Sequence, residues 1–401
     1  MAPPSARQAS ALLVAAWALW PLGALGWLDT GHMLIAEIAR QQLSASESAK
    51  IDGVLKGWEA DFPGMSDMVG AAVWMDHLKC TAYTYPALCQ GGVRPAMFAF
   101  DSWHYADLAY NPDHIAGAEA GHEVPALQKR PSSLWALEEA MATLRQSDNR
   151  WSLNFMIRVL IHVVGDLHQP LHDAEGFFDD QRFGNLSNGD RGGNLIKISD
   201  PEWSNLPNLH VLWDSAAGLY LTEWPLSDDG RDLLAQNASA LLKEVGRPNF
   251  AHRLLYFGRD EICVRTGTGC AGMFAGWAQE AHELAINVAY SGGISAGGTP
   301  SAEYISRARQ VCRRQIVVAG QRLAGLLQAV ADRLPDAPAS DGADLAAVQG
   351  HGGAVNGILV AACAGQSVAL FVLAALLMRR QRVATVAVDE QGMAGNFVPC
   401  P

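Results

Sequence analysis

The stretch Met156-Ile-Arg-Val-Leu-Ile-His162-Val-Val-Gly-Asp166-Leu-His-Gln-Pro-Leu-His172 decides the architecture. Met156, Val159, Leu160, Val163 and Val164 recur at the spacing of an α-helix, so the segment is a helix with a broad apolar face. His162 and Asp166 are four residues apart, which sets both on one side of that helix. A carboxylate on so apolar a segment needs a cation beside it.

The same spacing returns in Asn208-Leu-His210-Val-Leu-Trp-Asp214, again on an apolar stretch, and His172 lies just beyond Gln169-Pro-Leu. A single His–Asp pair is more often a core histidine with a polar neighbour. Two pairs point to metal ligands, and nitrogen with oxygen donors and no thiolate cluster suit Zn²⁺. Working outward, helical periodicity recurs at Met33, Ile35, Ala36, Ile38 and Ala39, and over 135–145, 277–290 and 315–334. Gly-, Pro-, Asn- and Asp-rich loops such as 177–194 separate these segments, and strand-like alternation is scarce. The prediction is all-α: a single large, mostly helical domain over 27–332 without internal repeats.

Of 401 residues, 49% are hydrophobic and 17% charged, a globular rather than disordered composition. The net charge of −12 excludes a broad basic surface for duplex DNA. Residues 1–26 and 379–401 each carry +1, which leaves −14 for the chain between them. Any polyanion handled here needs concentrated positive charge, which bound metal ions supply.

The ends read as targeting segments. Arg7, an apolar run over 11–25 and the small residues Ala24 and Gly26 predict a signal peptide, 1–26, cut before Trp27. Residues 358–378 are uncharged and followed at once by Arg379, Arg380 and Arg382, which predicts a transmembrane helix and a cytoplasmic tail, 379–401. A Pro/Ala/Asp/Gly-rich stalk, 333–357, precedes the span. The expectation is a single-pass type I protein of the secretory pathway and cell surface, with its domain outside. Cysteine use suits an oxidising compartment: Cys80 with Cys89 and Cys263 with Cys270 could close short loops, while Cys312 lacks an obvious partner. Asn185-Leu-Ser and Asn237-Ala-Ser are glycosylation sequons.

Trp27 with Gly31-His32, Trp74-Met-Asp76 and Ser102-Trp-His104-Tyr105 extend the ligand set, and a free α-amino group is itself a ligand. In chain order, Trp-x4-His, Trp-x-Asp, His-Tyr-x-Asp, His-x3-Gly-Asp-x-His-Gln-Pro-Leu-His, Gly-Asp-Arg-Gly-Gly-Asn and Asn-Leu-His-x2-Trp-Asp resemble the class I zinc-dependent single-strand nucleases. These are relatives of the bacterial zinc phospholipases C. The resemblance runs from Trp27 to about Leu327 and, with the terminal segments, is greatest to the surface 3′-nucleotidase/nuclease branch.

The resemblance implies three Zn²⁺ ions. Asp76, His104, His162 and Asp166 would bind the first; the Trp27 amino and carbonyl groups, His32 and a bridging Asp166 the second; His172, His210 and Asp214 the third. It also implies the reaction: a hydroxide between two cations attacks phosphorus while the third zinc stabilises the departing ribose 3′-oxygen. Single-stranded RNA or DNA would give 5′-phosphorylated products, and 3′-mononucleotides nucleoside plus phosphate. Asp166 carries this chemistry, and Lys79 stands where relatives commonly have an arginine facing the phosphate. Tyr105 resembles the aromatic platform for a stacked base, and Asp107 the carboxylate that bonds the base edge. Asn194 either binds phosphate or is an ordinary turn asparagine.

A longer loop between His172 and Asn194 is expected to wall the cleft and favour mononucleotides. The alternative is a phospholipase C acting on lipid headgroups, but that branch usually ends its ligand set with Glu, and this chain has Asp214. His77 and His168 point off the ligand faces and read as structural. His114, His122, His252, His282 and His351 have no place in the pattern, and no protein partner is implied.

Overall fold

The computed structural model describes residues 27–79, 96–118, 131–199, 206–222, 224–246 and 270–335. Helices dominate these segments, as the periodicity predicts. The helix α1, Asp29–Arg40, is buried on every side from Thr30 to Ala39 and is the centre about which the others pack. It lies against α10, Ala302–Ala331, and α8, Asp228–Val245. At the α1–α10 crossing a Cβ on Gly320 would overlap Ile38, so glycine there lets the two backbones approach.

A second pair, α5 (Ser133–Gln146) and α6 (Arg150–Asp166), covers the other side, with α2 (Ala45–Leu55) across α6 and α9 (Cys270–Leu284) across α5. Capping residues set several of these starts. Ser44 and Glu47 form a reciprocal capping box on α2, Asn149 accepts from Ser152 N on α6, and Ser301 accepts from Tyr304 N on α10. Two short helices, α3 (Met68–Ala71) and α4 (Trp74–His77), lie end to end, and α7, Leu209–Asp214, begins at Asn208, which accepts from Val211 N.

The helix bounds differ from the expected ones: 135–145 extends to Ser133–Gln146, while the helix expected over 315–334 starts earlier, at Ala302, and ends earlier, at Ala331. Over 277–290 the helix α9 passes into a π-helical turn, Ala285–Ala289. The few strands are short. β1 (Ala109–Tyr110) pairs in parallel with β2 (Glu175–Gly176), and β3 (Phe178–Asp180) with β4 (Gly184–Leu186) as a hairpin inside the loop 177–194.

No helix among the described residues is long and apolar enough to cross a membrane. The leader 1–26, the span 358–378, the tail 379–401 and nearly all of the stalk 333–357 lie outside them. Cys270 is disulfide-bonded, whereas Cys312, on α10, is a free thiol and fully buried.

Candidate metal centre

Six local structures deliver the eight expected side-chain ligands to one buried region. Helix α6 carries His162 and Asp166, α1 carries His32, α4 carries Asp76, and α7 carries His210 and Asp214. His104 ends a 3₁₀ helix, Ala96–His104, and His172 ends a 3₁₀ turn, Pro170–His172, which leaves α6 through Gln169. Each of these eight residues is at most 7% exposed.

Their donor atoms form three groups: His32, Asp76 and His162; His104, His162 and Asp166; and His172, His210 and Asp214. Asp166 faces histidines with both oxygens. Its Oδ1 is 3.3 Å from His32 Nε2 and 3.8 Å from His172 Nδ1, and its Oδ2 is 2.9 Å from His104 Nδ1 and 3.3 Å from His162 Nε2. Asp76 stands 3.7 Å from both His104 and His162 and 3.9 Å from His32. Asp214 Oδ2 is 3.5 Å from His210 Nε2, and its Oδ1 is 3.9 Å from His172 Nε2.

Two observations fit these groups to metal ions. First, backbone carbonyls set the histidine rings: His162 Nδ1 donates to Ala72 O at 2.6 Å, His172 Nδ1 to His104 O at 2.6 Å, and His210 Nδ1 to Gly192 O at 2.7 Å. In that tautomer each Nε2 keeps a lone pair toward the carboxylates, as a ligand must. Second, His32 Nδ1 and Nε2, Asp166 Oδ1 and Asp214 Oδ2 are buried without a hydrogen-bond partner. Buried polar atoms are nearly always satisfied, and four orphans in one cluster mark a place built for a cation.

The charges agree. Burial pushes Asp76 and Asp166 up, but Lys79 and, in their protonated form, the neighbouring imidazoles prevail and hold both carboxyls below their usual range, Lys79 and His162 acting most on Asp76 and His162 on Asp166. His104 falls to about 3 through burial and the nearby Lys79 charge. Burial, with the Asp76 and Asp166 charges, leaves Asp214 well above the usual carboxylate range although Gln169 Nε2 donates to its Oδ1 at 2.6 Å.

Trp27 is fully buried; its indole donates to Gly165 O at 2.9 Å, and Leu28 N donates to Asp214 O at 3.0 Å. These bonds fix the first described residues against the centre. His32 faces Asp166 Oδ1 at 3.3 Å and also falls with Asp76 and His162, its ring stacked on His162 at 4.0 Å. In the uncut chain the Trp27 nitrogen is a peptide nitrogen and has no lone pair to offer.

Lys79 is 4% exposed and its Nζ donates to Asp76 Oδ1 at 2.7 Å, so it lies at the cluster. Tyr105 and Asp107, both half-buried, sit beside His172, because Ala106 N donates to His172 O at 2.8 Å and the β1–β2 pairing continues from there. Asp107 has φ +51°, a left-handed conformation that a non-glycine residue rarely adopts. Asn194 Nδ2 donates to Arg191 O at 2.9 Å, the bond of a turn asparagine. His77 Nε2 lies 3.2 Å from Asp29 Oδ2, and His168 is held away from the cluster.

Sequence patterns could not show the carbonyls of Ala72, His104 and Gly192, because carbonyls carry no residue signature. They also missed His282, whose Nδ1 donates to Asp173 O at 2.9 Å, and the buried Asp173 carboxyl itself. Gln169 was legible only as part of a motif, not as the partner of Asp214.

The fold and the centre together define a helical domain with buried His/carboxylate groups able to hold several metal ions. The family model described as S1/P1 Nuclease matches residues 27–332, and the chain belongs to that family. It is 24% identical to Endonuclease 3 of Arabidopsis thaliana over 77% of this chain and 90% of the relative. It is 22% identical to Nuclease S1 of Aspergillus oryzae, over 77% and 93%, and 22% identical to Nuclease P1 of Penicillium citrinum, over 76% and 97%.

Proposed function

We propose that this protein is a zinc-dependent phosphoesterase that cleaves single-stranded RNA and DNA to 5′-phosphorylated products and hydrolyses 3′-nucleotides to nucleoside and phosphate. The observation that carries the reading is Asp166: one fully buried carboxylate turns each oxygen to a different histidine set, as a ligand shared between two ions does. The names of the family and of its relatives support nuclease chemistry.

Asp76, His104, His162 and Asp166 would hold one ion, His32 with Asp166 and the freed Trp27 terminus a second, and His172, His210 and Asp214 a third. Such ions supply Lewis acidity and a nucleophile active near neutral pH. The chain does the rest. Ala72 O, His104 O and Gly192 O hold three imidazoles in the ligating tautomer, and Gln169 orients Asp214. Lys79 brings a compact charge to the phosphate side of Asp76, without the bidentate fork of an arginine. Tyr105 stacks a base and Asp107 bonds its edge, both placed by the strap between 104–110 and His172. Asn194 serves mainly its turn.

On sequence grounds the domain would face outward, after a signal peptide ending at Gly26 and before a span at 358–378. The disulfide at Cys270 and the exposure of Asn185 and Asn237 support a lumenal or surface location.

The test offers the purified protein 3′-AMP, 5′-AMP, single-stranded RNA and phosphatidylcholine, with and without chelator. Chelator-sensitive hydrolysis of 3′-AMP and RNA is expected. Hydrolysis of the lipid alone would select a phospholipase C, and no hydrolysis in any arm would overturn catalysis.

A further inference from the structure

Between Asp166 and His172 the chain must leave α6 and set His172 and Gln169 against α7. His168 is fully buried yet does not reach the ligand cluster: its Nδ1 donates to Val164 O at 2.7 Å, and its Nε2 faces Arg322 Nη1 at 2.7 Å. A guanidinium only donates, so Nε2 must be the accepting, unprotonated nitrogen.

Arg322 comes from α10 and is 2% exposed. Its Nη2 donates to Glu280 Oε2 of α9 at 2.8 Å, and its guanidinium lies 4.6 Å from the Trp277 ring centre. Two turns earlier on α10, Gln315 Nε2 donates to His168 O at 3.2 Å. The other end of the segment is held likewise, by the His282 bond from α9 to Asp173 O. These contacts fall on residues just outside the ligands and touch no ligand atom.

We infer that Arg322 is a positioning residue for the metal centre, acting through His168 to fix the Asp166–His172 segment and so tying metal affinity to the α9–α10 pair. A buried guanidinium is a poor choice where packing alone is wanted, since an apolar side chain fills the volume without desolvating a charge. What the guanidinium adds is direction. It bonds His168 and Glu280 at the same time, and two simultaneous buried bonds from one rigid fork restrict the arrangement of both partners. Metal ligands need that restriction, because a displacement on the order of 0.5 Å already spoils coordination.

The inference rests on the reading of the His/Asp groups as metal sites, and the test separates the two. Full-length protein loaded with Zn²⁺ is compared with Arg322→Met, Arg322→Lys, Glu280→Gln and Leu326→Ala. The readouts are bound metal per chain and the rate of metal release to excess chelator, with the His168 tautomer followed by long-range ¹H–¹⁵N NMR. Arg322→Met should release metal roughly 10–100-fold faster, the range for losing an outer-shell partner. Arg322→Lys, which can reach one partner but not both, should fall between it and the native protein. Glu280→Gln, which keeps the volume, should speed release less and carries the test if Arg322→Met does not fold.

Leu326→Ala truncates a buried apolar side chain one turn along the same helix. It should lower the melting temperature without changing metal release. Native release rates in both Arg322→Met and Glu280→Gln, or equal acceleration in Leu326→Ala, would overturn the inference alone. A native protein that takes up no metal would overturn the metal reading and this inference with it.

Discussion

In the proposed reaction the Asp166 carboxylate bears most of the site's chemistry. Replacing it with Asn keeps the shape and removes the charge shared by His32, His104 and His162. Asp166→Asn should lose turnover by more than the ~100-fold typical of an outer-shell change, with less than the native metal content by elemental analysis. Unchanged activity and metal would remove Asp166 from the centre. Gly165 beside it is fixed by space: a Cβ there would come 2.8 Å from His32 Nδ1 and 3.3 Å from Ile35 Cδ1. Gly165→Ala should therefore cost about 1–3 kcal/mol by overpacking and displace His32, read as a lower midpoint in urea and weaker metal binding. The His162/Asp166 and His210/Asp214 pairs were legible in the sequence because i, i+4 spacing fixes geometry inside a helix. The contacts Arg322–His168 and His282–Asp173 were not, since they join residues 154 and 109 positions apart and no periodicity links them.

Helix α3 meets α2 through two carboxylates at its first turn. Asp67 caps it by accepting from Gly70 N at 2.8 Å, and Asp52 accepts from Met68 N at 3.2 Å. Burial and the nearby Asp67 charge push Asp52 up to about 6. A raised carboxyl favours the protonated folded state, so its stabilising effect is complete below about pH 4 and is lost as pH rises through about 6. Asp52→Asn, neutral at every pH, should match the native protein near pH 4 and exceed it by roughly 1–2 kcal/mol at pH 8. Denaturation curves at the two pH values decide this, and an equal difference at both would refute it. Helix bounds were read less well than helix existence. The ends of α5 and α10 are set by Ser132 and Ser301 accepting backbone N–H groups, signals outside the apolar periodicity. The hairpin β3–β4 sits in what the sequence shows only as a turn-rich loop.

For the whole domain, the same unsatisfied atoms that suggest ions also predict how stability responds to them. His32, Asp166 and Asp214 carry buried polar atoms without hydrogen-bond partners, and a ligand that binds the folded state alone stabilises it by about 2.7 kcal/mol at a hundredfold excess over Kd. Chelation should lower the calorimetric melting temperature by several degrees, and added Zn²⁺ should restore it. A transition that does not move with metal would argue that the groups hold none. The mostly helical class was readable because apolar residues recur at helical spacing along the chain. How α9 and α10 brace the centre was not, because that follows from packing between distant segments.

The thiol of Cys312 offers a clock for that bracing. Sealed inside α10, and with burial pushing its pKa up, it can meet an alkylating reagent only when the helix swings open. The rate at which mass spectrometry finds this one cysteine labelled therefore counts openings of the layer that frames the ligand cluster. Comparing those rates with and without bound cation would show whether the cargo in the middle locks the walls around it.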